Sequence, residues 1–183
     1  IVFSSSATVY GNTSKNKLKE SSPINPINTY GNTKYFVEQI LNTLFQSDKC
    51  KWRVANLRYF NPVGSHCSGL LGEDSKGKTT NLFPAIIQTI RGNKEKLLVF
   101  GKDWPTPDGT CIRDFIHVMD LAEAHIATLN YLKNNKPQNI SINIGTGKGT
   151  SVIEAIETFQ KIKDIDFEYQ FVERRLGDQS FVV

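Results

Sequence analysis

Hydrophobic and polar positions follow two different periods along the chain, and the changes between them predict strands and helices in turn. Short apolar runs bounded by turn residues predict β-strands at residues 1–4, 52–60, 97–100, 110–115, 140–144 and 167–172. Apolar residues three or four positions apart predict amphipathic helices at residues 30–46, 82–91, 118–134 and 151–163. The alternation of the two element types predicts an α/β fold with a largely parallel sheet.

Two stretches show neither period and are predicted to be loops. Residues 5–26 are rich in Ser, Asn and Pro, and residues 61–80 contain four glycines. A loop as long as the second one is usually functional or disordered. Helix caps are expected at Asn28 or Thr29 and at Thr150 or Ser151.

Composition excludes several functional classes. The 183 residues suffice for one domain or parts of two, and the net charge of +4 is not concentrated in a run. We therefore expect no nucleic-acid partner. The small excess of cations is also compatible with binding of an anionic metabolite. Cys50, Cys67 and Cys111 form neither a CxxC pattern nor a metal-ligand spacing with the histidines, so no metal is expected and the setting should be reduced and cytoplasmic. No apolar run approaches the roughly 20 residues of a membrane span.

The first residues suggest a cut chain. Ile1, Val2 and Phe3 are typical of the inside of a buried strand, without an initiator Met or the features of a leader. We therefore expect the chain to be a fragment of a longer protein.

Tyr30 and Lys34 carry the first candidate chemistry. They lie four residues apart on a predicted helix and so share a face. A neighbouring ammonium favours the phenolate, which makes Tyr30 a usable base. Ser6 follows a predicted strand, at the edge where α/β sheets bind ligands, and its hydroxyl can relay a substrate proton to Tyr30. On these residues alone, a chance Tyr-x-x-x-Lys and a serine-rich turn remain alternatives.

Both segments, together with blocks further along, resemble the UDP-glucose 4-epimerase family, also called UDP-galactose 4-epimerase, within the extended short-chain dehydrogenase/reductases. The resemblance covers essentially the whole chain, and the blocks at 58–64 and 108–122 are its most specific parts. The matching blocks, in the order of the family, are residues 4–11, 30–34, 57–64, 72–74, 81–84, 108–122, 143–147 and 174–178.

The resemblance implies a fold and an activity. The fold is the C-terminal part of a Rossmann-type doubly wound parallel sheet plus a smaller α/β substrate-binding domain. Residues 1–62 would end the NAD-binding domain, and residues 63–183 would mainly bind the UDP-sugar, with some segments returning to the first domain. The implied activity is NAD-dependent interconversion of UDP-glucose and UDP-galactose in galactose metabolism, by hydride removal and return at sugar carbon 4 through a 4-keto sugar. The full-length protein would be a homodimer.

Residue roles follow from the same resemblance. Tyr30 matches the catalytic base, Lys34 the lysine that holds the nicotinamide ribose, and Ser6 the serine that contacts the sugar. The implied cofactor-binding residues are Ser6, Tyr30, Lys34 and Phe60. The implied substrate-binding residues are Ser6, Tyr30, Asn61, Asn81, Leu82, Leu98, Val99, Phe100, Arg113, Arg175 and Asp178.

The arginines have physically reasonable roles and also structural alternatives. Guanidinium forks suit a diphosphate, and a carboxylate such as Asp178 suits ribose hydroxyls. Arg113 can instead form an ion pair with a neighbouring acid, Asp114 or Asp120. Arg174 and Arg175 can instead be a solvated pair of charges.

Two features depart from a complete nucleotide-binding enzyme. Residues 145–149, Gly-Thr-Gly-Lys-Gly, lie between a strand and a helix, but the third glycine comes one residue early for GxGxxG, so we interpret them as a tight turn. No glycine fingerprint precedes the first strand. We therefore expect the NAD-binding loops to precede residue 1, and this polypeptide alone to bind NAD poorly and not to turn over.

Val182 bears on the substrate range. It matches the family's gate beside the sugar, where large residues are associated with exclusion of N-acetylated sugars. Because valine is mid-sized, acceptance of N-acetylhexosamines is a hypothesis.

Two rival functions fit part of the pattern. A nucleotide-sugar dehydratase or decarboxylase of the same superfamily tends to have an acidic residue beside the active-site hydroxyl, whereas Ser6 is followed by Ala7 and Thr8, which favours epimerisation. A noncatalytic nucleotide-sugar-binding protein could keep Arg113, Arg175 and Asp178 without needing the Tyr30–Lys34 pair.

Overall fold

A computed structural model describes residues 1–11, 17–73, 79 and 81–183. Its helices are α1 (Thr29–Ser47), α2 (Leu82–Ile90), α3 (Val118–Asn134) and α4 (Val152–Lys163). Its strands are β1 (Val2–Ser6), β2 (Arg53–Tyr59), β3 (Asn61–Val63), β4 (Leu97–Phe100), β5 (Ile112–Arg113), β6 (Phe115–His117), β7 (Gln138–Ile144), β8 (Thr150–Ser151), β9 (Tyr169–Val172) and β10 (Phe181–Val182). The predicted α/β class is confirmed.

A parallel sheet in the order β1-β2-β7 carries the first layer of the fold. Side chains along β2 alternate between its two faces. Ala55 and Leu57 join an apolar cluster with Leu132 of α3, whereas Arg58 bonds to Glu38 of α1. Helices α1 and α3 therefore cover opposite faces of this sheet, and the face under α1 is the polar one.

A second layer lies around β4. The apolar core there consists of Ile86 from α2, Leu97 and Val99 from β4, and Ile156 from α4. Strand β4 pairs in parallel with β9, and β3 pairs in parallel with β6. The remaining sheet has the order β10-β5-β8, in which β5 and β8 are antiparallel. These short sheets place the ends of β3, β4 and β5 near one another.

The predicted helices agree with the structure to within one or two residues at each end, and Asn28 and Ser151 are the N-caps. The single strand predicted at 110–115 is wrong, because Asp114 separates β5 from β6 and turns its carboxylate to residues 146 and 147. The loops predicted at 5–26 and 61–80 are wrong in part: the first begins with the end of β1 and a 3-10 helix (Ala7–Tyr10), and the second begins with β3. Backbone pairing with β2 and β6, which the local pattern does not show, forms the two strand segments, and Ser6 caps the 3-10 helix.

Parts of both loops lie outside the described residues, namely residues 12–16, 74–78 and 80, and with them Asp74 of the block at 72–74. Each helix that the structure describes lacks the length or the apolar character needed to cross a bilayer. In the same described residues, no three His, Cys, Asp or Glu side chains come together as a metal-binding group.

Candidate active site

Ser6 lies where β1 ends and the chain enters the 3-10 helix (Ala7–Tyr10). It is the N-cap of that turn, and its Oγ accepts hydrogen bonds from the backbone N–H of Thr8 at 3.3 Å and from the Thr8 hydroxyl at 3.0 Å. The side chain is nearly buried. Local capping thus fixes the hydroxyl at the carboxyl end of the sheet, where α/β folds bind ligands.

Helix α1 begins close to this turn. The side chain of Asn28 caps it by accepting from the N–H of Gly31 at 2.8 Å. A Cβ atom at residue 31 would lie 2.7 Å from the carbonyl oxygen of Thr8, so only glycine allows the helix to approach the Ser6 segment this closely. The first turn of α1, which carries Tyr30, is therefore held against the segment that carries Ser6.

Tyr30 and Lys34 share one face of α1. Tyr30 is 55% exposed, and the Lys34 Nζ lies 5.5 Å from the centroid of its ring. The ammonium also donates a hydrogen bond to the backbone carbonyl of Ser4 at 2.8 Å. The structure thus places an accessible phenol beside a cation that is anchored to β1.

A cavity of about 790 Å³ is lined by β3, β4 and the start of α2, among other segments. All nine of the implied substrate residues beyond Ser6 and Tyr30 line it: Asn61, Asn81, Leu82, Leu98, Val99, Phe100, Arg113, Arg175 and Asp178. These residues come from five separate segments of the chain. Lining residues that the sequence reasoning missed include Lys94, Cys111, Phe115, Val152 and Gln170.

Arg113 enters this cavity from β5 in a fixed position. One terminal nitrogen donates to the backbone carbonyls of Ile112 at 3.0 Å and Gln179 at 2.8 Å. Among the residues that the structure describes, no ion pair joins Arg113 to Asp114 or Asp120. The ion-pair alternative is therefore wrong, and the guanidinium is held by backbone oxygen atoms at the wall of the cavity.

Arg175 and Asp178 line the cavity as a pair. The Arg175 Nε donates to the Asp178 carboxylate at 2.9 Å, and the guanidinium lies 4.6 Å from the centroid of the Phe100 ring. Arg174 lies elsewhere: it donates to the Asp103 carboxylate at 2.8 Å and stacks on the Trp104 ring. Arg174 is therefore an exposed charge paired with Asp103, as the solvated alternative expected, whereas Arg175 lines the cavity together with Asp178.

Phe60 and Val182 belong to one apolar cluster. Phe60 is buried in a cluster with Ala7, Val9 and Tyr10, and the half-buried Val182 packs against the same cluster. Val182 is also paired with Arg113 in the register of β10 and β5. The residue that matches the family's gate thus lies between the Phe60 cluster and the cavity wall.

Residues 145–149 form a turn between β7 and β8, ahead of α4. The buried carboxylate of Asp114 accepts from the backbone N–H of Thr146 at 2.8 Å and from that of Gly147 at 2.7 Å. A Cβ at Gly145 would lie 2.7 Å from the Asp114 Oδ2. The lack of a side chain at Gly145 therefore lets the Asp114 carboxylate approach the backbone N–H groups of this turn.

A buried polar cluster under α1 also escaped the sequence reasoning. Glu38 and Arg58 form an ion pair there, and Ser5 and Tyr10 bond to it. The spacing of Glu38, four residues beyond Lys34, was the signal that could have found it.

Comparisons with known proteins agree with this geometry. The model of the NAD dependent epimerase/dehydratase family matches residues 1–145. The UDP-glucose 4-epimerase of Bacillus subtilis is 48% identical over 97% of this chain and 52% of its own length, and the bifunctional protein gal10 of Schizosaccharomyces pombe is 51% identical over 97% of this chain and 26% of its length. The chain spans about half the length of the UDP-glucose 4-epimerases that it matches.

A solved structure shows the same fold. The UDP-glucose-4-epimerase from Stenotrophomonas maltophila, solved with bound NAD and formylated UDP-arabinopyranose, superposes with a TM-score of 0.94 at 43% identity. The match covers 99% of this chain and 53% of that one. Fold, cavity and sequence agree, and this chain belongs to the NAD dependent epimerase/dehydratase family.

Proposed function

We propose that this chain supplies the catalytic base and the UDP-sugar pocket of a UDP-glucose 4-epimerase. The observation that carries the proposal is the convergence of nine implied substrate residues, from five segments, on one cavity. Relatives that match 97% of the chain are named UDP-glucose 4-epimerase, which supports the same assignment. The reaction would interconvert UDP-glucose and UDP-galactose through a 4-keto sugar.

The proposed role of each residue in the pocket follows from the chemistry of its side chain. Arg113 and Arg175 hold the diphosphate, because guanidinium groups donate charge-assisted hydrogen bonds to phosphate oxygens. Asp178 accepts from ribose hydroxyls. The side chains of Leu98 and Phe100 line the cavity from β4 and border the uracil. The pocket thus fixes the nucleotide and leaves the sugar to reach Tyr30.

Tyr30 transfers the proton, and Ser6 assists the transfer. Tyr30 takes the proton from the sugar 4-hydroxyl and returns it after the sugar has presented its other face, and the Ser6 hydroxyl orients that oxygen. Lys34, whose ammonium lies beside the Tyr30 ring, would hold the cofactor ribose. A nicotinamide nucleotide fits the residues present there, namely the exposed Tyr30 phenol, the Lys34 ammonium beside it and the Phe60 ring. NAD, when bound there, would supply the hydride acceptor and donor that the reaction at carbon 4 needs.

A dehydratase or decarboxylase would need a second acid or base near the same hydroxyl. The neighbours of Ser6 are Ala7 and Thr8, and the Thr8 hydroxyl is bonded to the Ser6 oxygen at 3.0 Å. This arrangement favours epimerisation over both alternatives.

The division of the protein into parts belongs to the same proposal. Residues 1–62 would complete an NAD-binding domain, and residues 63–183 would mainly bind the UDP-sugar, with β7 returning to the sheet of β1 and β2. Poor NAD binding by the chain alone, a homodimer for the full-length protein and a cytoplasmic setting stay predictions.

The test uses the whole chain joined behind the N-terminal half of the Bacillus subtilis relative. Tyr30→Phe should lower kcat about 100- to 10,000-fold, because it removes the base while leaving the pocket intact. Tyr131→Phe is the matched control, since Tyr131 is a similarly exposed tyrosine on α3. Calorimetry with UDP should give the same Kd for both variants. If Tyr30→Phe turns over at the parent rate, the proposed mechanism is wrong.

A further inference from the structure

A buried ion pair lies between α1 and the first sheet. The Arg58 guanidinium makes a two-point contact with the Glu38 carboxylate, at 2.7 Å from its terminal nitrogen and 3.0 Å from Nε. Both side chains are almost fully buried, at 5% exposure for Arg58 and 6% for Glu38. Burial alone would lower the pKa of Arg58, but hydrogen bonds to Glu38 and Tyr10 outweigh it and raise the pKa, so the arginine stays charged.

This ion pair holds both ends of the segment that contains Ser6. The hydroxyl of Ser5 donates to the Glu38 carboxylate at 2.5 Å. At the other end of the 3-10 helix, the Tyr10 hydroxyl accepts from Arg58 at 3.0 Å, and the guanidinium lies 5.0 Å from the centroid of the Tyr10 ring. The hydroxyl of Ser6 is therefore carried by a short segment that is fixed on either side by one buried pair of charges.

The same ion pair fixes the face of α1 that carries the proposed base. Tyr30, Lys34 and Glu38 follow one another at intervals of four residues, so they lie along one face of the helix. Lys34 donates to the carbonyl of Ser4, and Glu38 accepts from the hydroxyl of Ser5. Residues on two successive turns of the helix thus hold two successive strand residues, directly before Ser6. A shift of α1 along β1 would break both contacts.

We infer that Glu38 and Arg58 are positioning residues that set the relative placement of Tyr30 and Ser6 for proton transfer. The inference rests on the proposed epimerase function. Neither residue lines the cavity, so both act through the helix and the strand and not through the nucleotide.

A purely structural role predicts different behaviour. Burying two charges costs free energy that their attraction only partly returns, and an apolar pair of similar volume often stabilises a fold as well or better. An apolar pair cannot reproduce the directional bonds to Ser5 and Tyr10. Stability and turnover should therefore separate when both charges are removed together.

The experiment measures kcat, KM for UDP-glucose and Tm in the chain joined behind the N-terminal half of the Bacillus subtilis relative. Glu38→Gln should lower kcat about 10- to 100-fold, because a misplacement of about 1 Å costs this much in rate. KM and the Kd for UDP should stay within about twofold, since the cavity is unchanged. Glu157→Gln, on the exposed side of α4, removes a charge far from this site and should leave all values unchanged.

Two further variants separate positioning from folding. Glu38→Met with Arg58→Met should recover the Tm lost in Glu38→Gln but keep the low kcat. Arg58→Lys keeps the charge but lacks the fork that reaches Glu38 and Tyr10 together, so it should also lose kcat while still binding UDP. The Lys variant decides the question if the double variant does not fold.

The outcomes are distinct. If kcat recovers together with Tm in the double variant, or if Glu38→Gln or Arg58→Lys turns over at the parent rate, the positioning role is wrong and the proposed function stands. A parent protein that binds UDP but does not epimerise overturns the proposed function, and this inference with it.

Discussion

Replacing Arg113 with methionine tests the cavity as a diphosphate site. The guanidinium is already held by the carbonyls of Ile112 and Gln179, so little side-chain freedom is lost when a ligand binds. A hydrogen bond to a charged group contributes about 1.5–3 kcal/mol. At about 1.4 kcal/mol per tenfold change in Kd, Arg113→Met should weaken UDP binding about 10- to 100-fold. Arg113→Lys should fall between methionine and the parent, because it keeps the charge without the fork.

Isothermal titration calorimetry of the 183-residue chain with UDP and with uridine measures this effect. Uridine lacks the diphosphate, so its Kd should be the same for Arg113→Met and the parent. Arg91→Met, at the far end of α2 and outside the cavity lining, is the matched control and should bind UDP normally. A UDP affinity within about twofold of the parent, or an equal loss for uridine and UDP, would refute the placement of the diphosphate beside Arg113.

Two further predictions concern other residues at the site. Burial raises the pKa of the Cys111 thiol, so at pH 8 this thiol should react with iodoacetamide after the exposed Cys50 and Cys67, and its rate should rise further with pH. Because Cys111 lines the cavity, UDP should protect it from labelling. Peptide mass spectrometry measures the order of labelling, and equal labelling of Cys111 with and without UDP would contradict the prediction. Val182→Tyr should reduce turnover of UDP-N-acetylglucosamine relative to UDP-glucose in the completed enzyme, because the larger ring fills the space beside the Phe60 cluster. Equal turnover ratios for valine and tyrosine would rule out this gate.

Local signals were sufficient for the helices and the long strands of the fold. The cap at Asn28 and the apolar spacing of α1 set its limits to within a residue, and the cap expected at Thr150 or Ser151 did the same for the start of α4. Strands of two or three residues, such as β5 and β8, carry too few positions for a period and exist only because a partner strand pairs with them. The sequence therefore predicts the helices and the long strands well and the short sheets poorly.

The same distinction between local and long-range signals applies to the residues of the candidate site. Tyr30 and Lys34 are close in sequence, so helical spacing alone indicates that they meet. Arg113 and Asp178 come from distant segments, and no local pattern shows that they share a cavity; only the resemblance to a family connected them. Glu38 was visible only as a charge four residues beyond Lys34, and Arg58 as a charge between Leu57 and Tyr59. The identity of a buried partner depends on how the helix packs on the sheet.

The parallel arrangement of the first sheet has a consequence for how the chain folds. Strand β2 lies between β1, which precedes α1 in the sequence, and β7, which follows α3. It cannot complete its hydrogen bonds until both of these distant strands have paired with it. Each of these pairings closes a long loop before it returns any stabilising contact, and such a topology slows folding to about milliseconds or seconds. Helices α1 and α3 can form early from local contacts, whereas the Glu38–Arg58 contact joins a helix to this late central strand. The groups that we expect to act on the substrate therefore reach their final places in one of the last steps of folding.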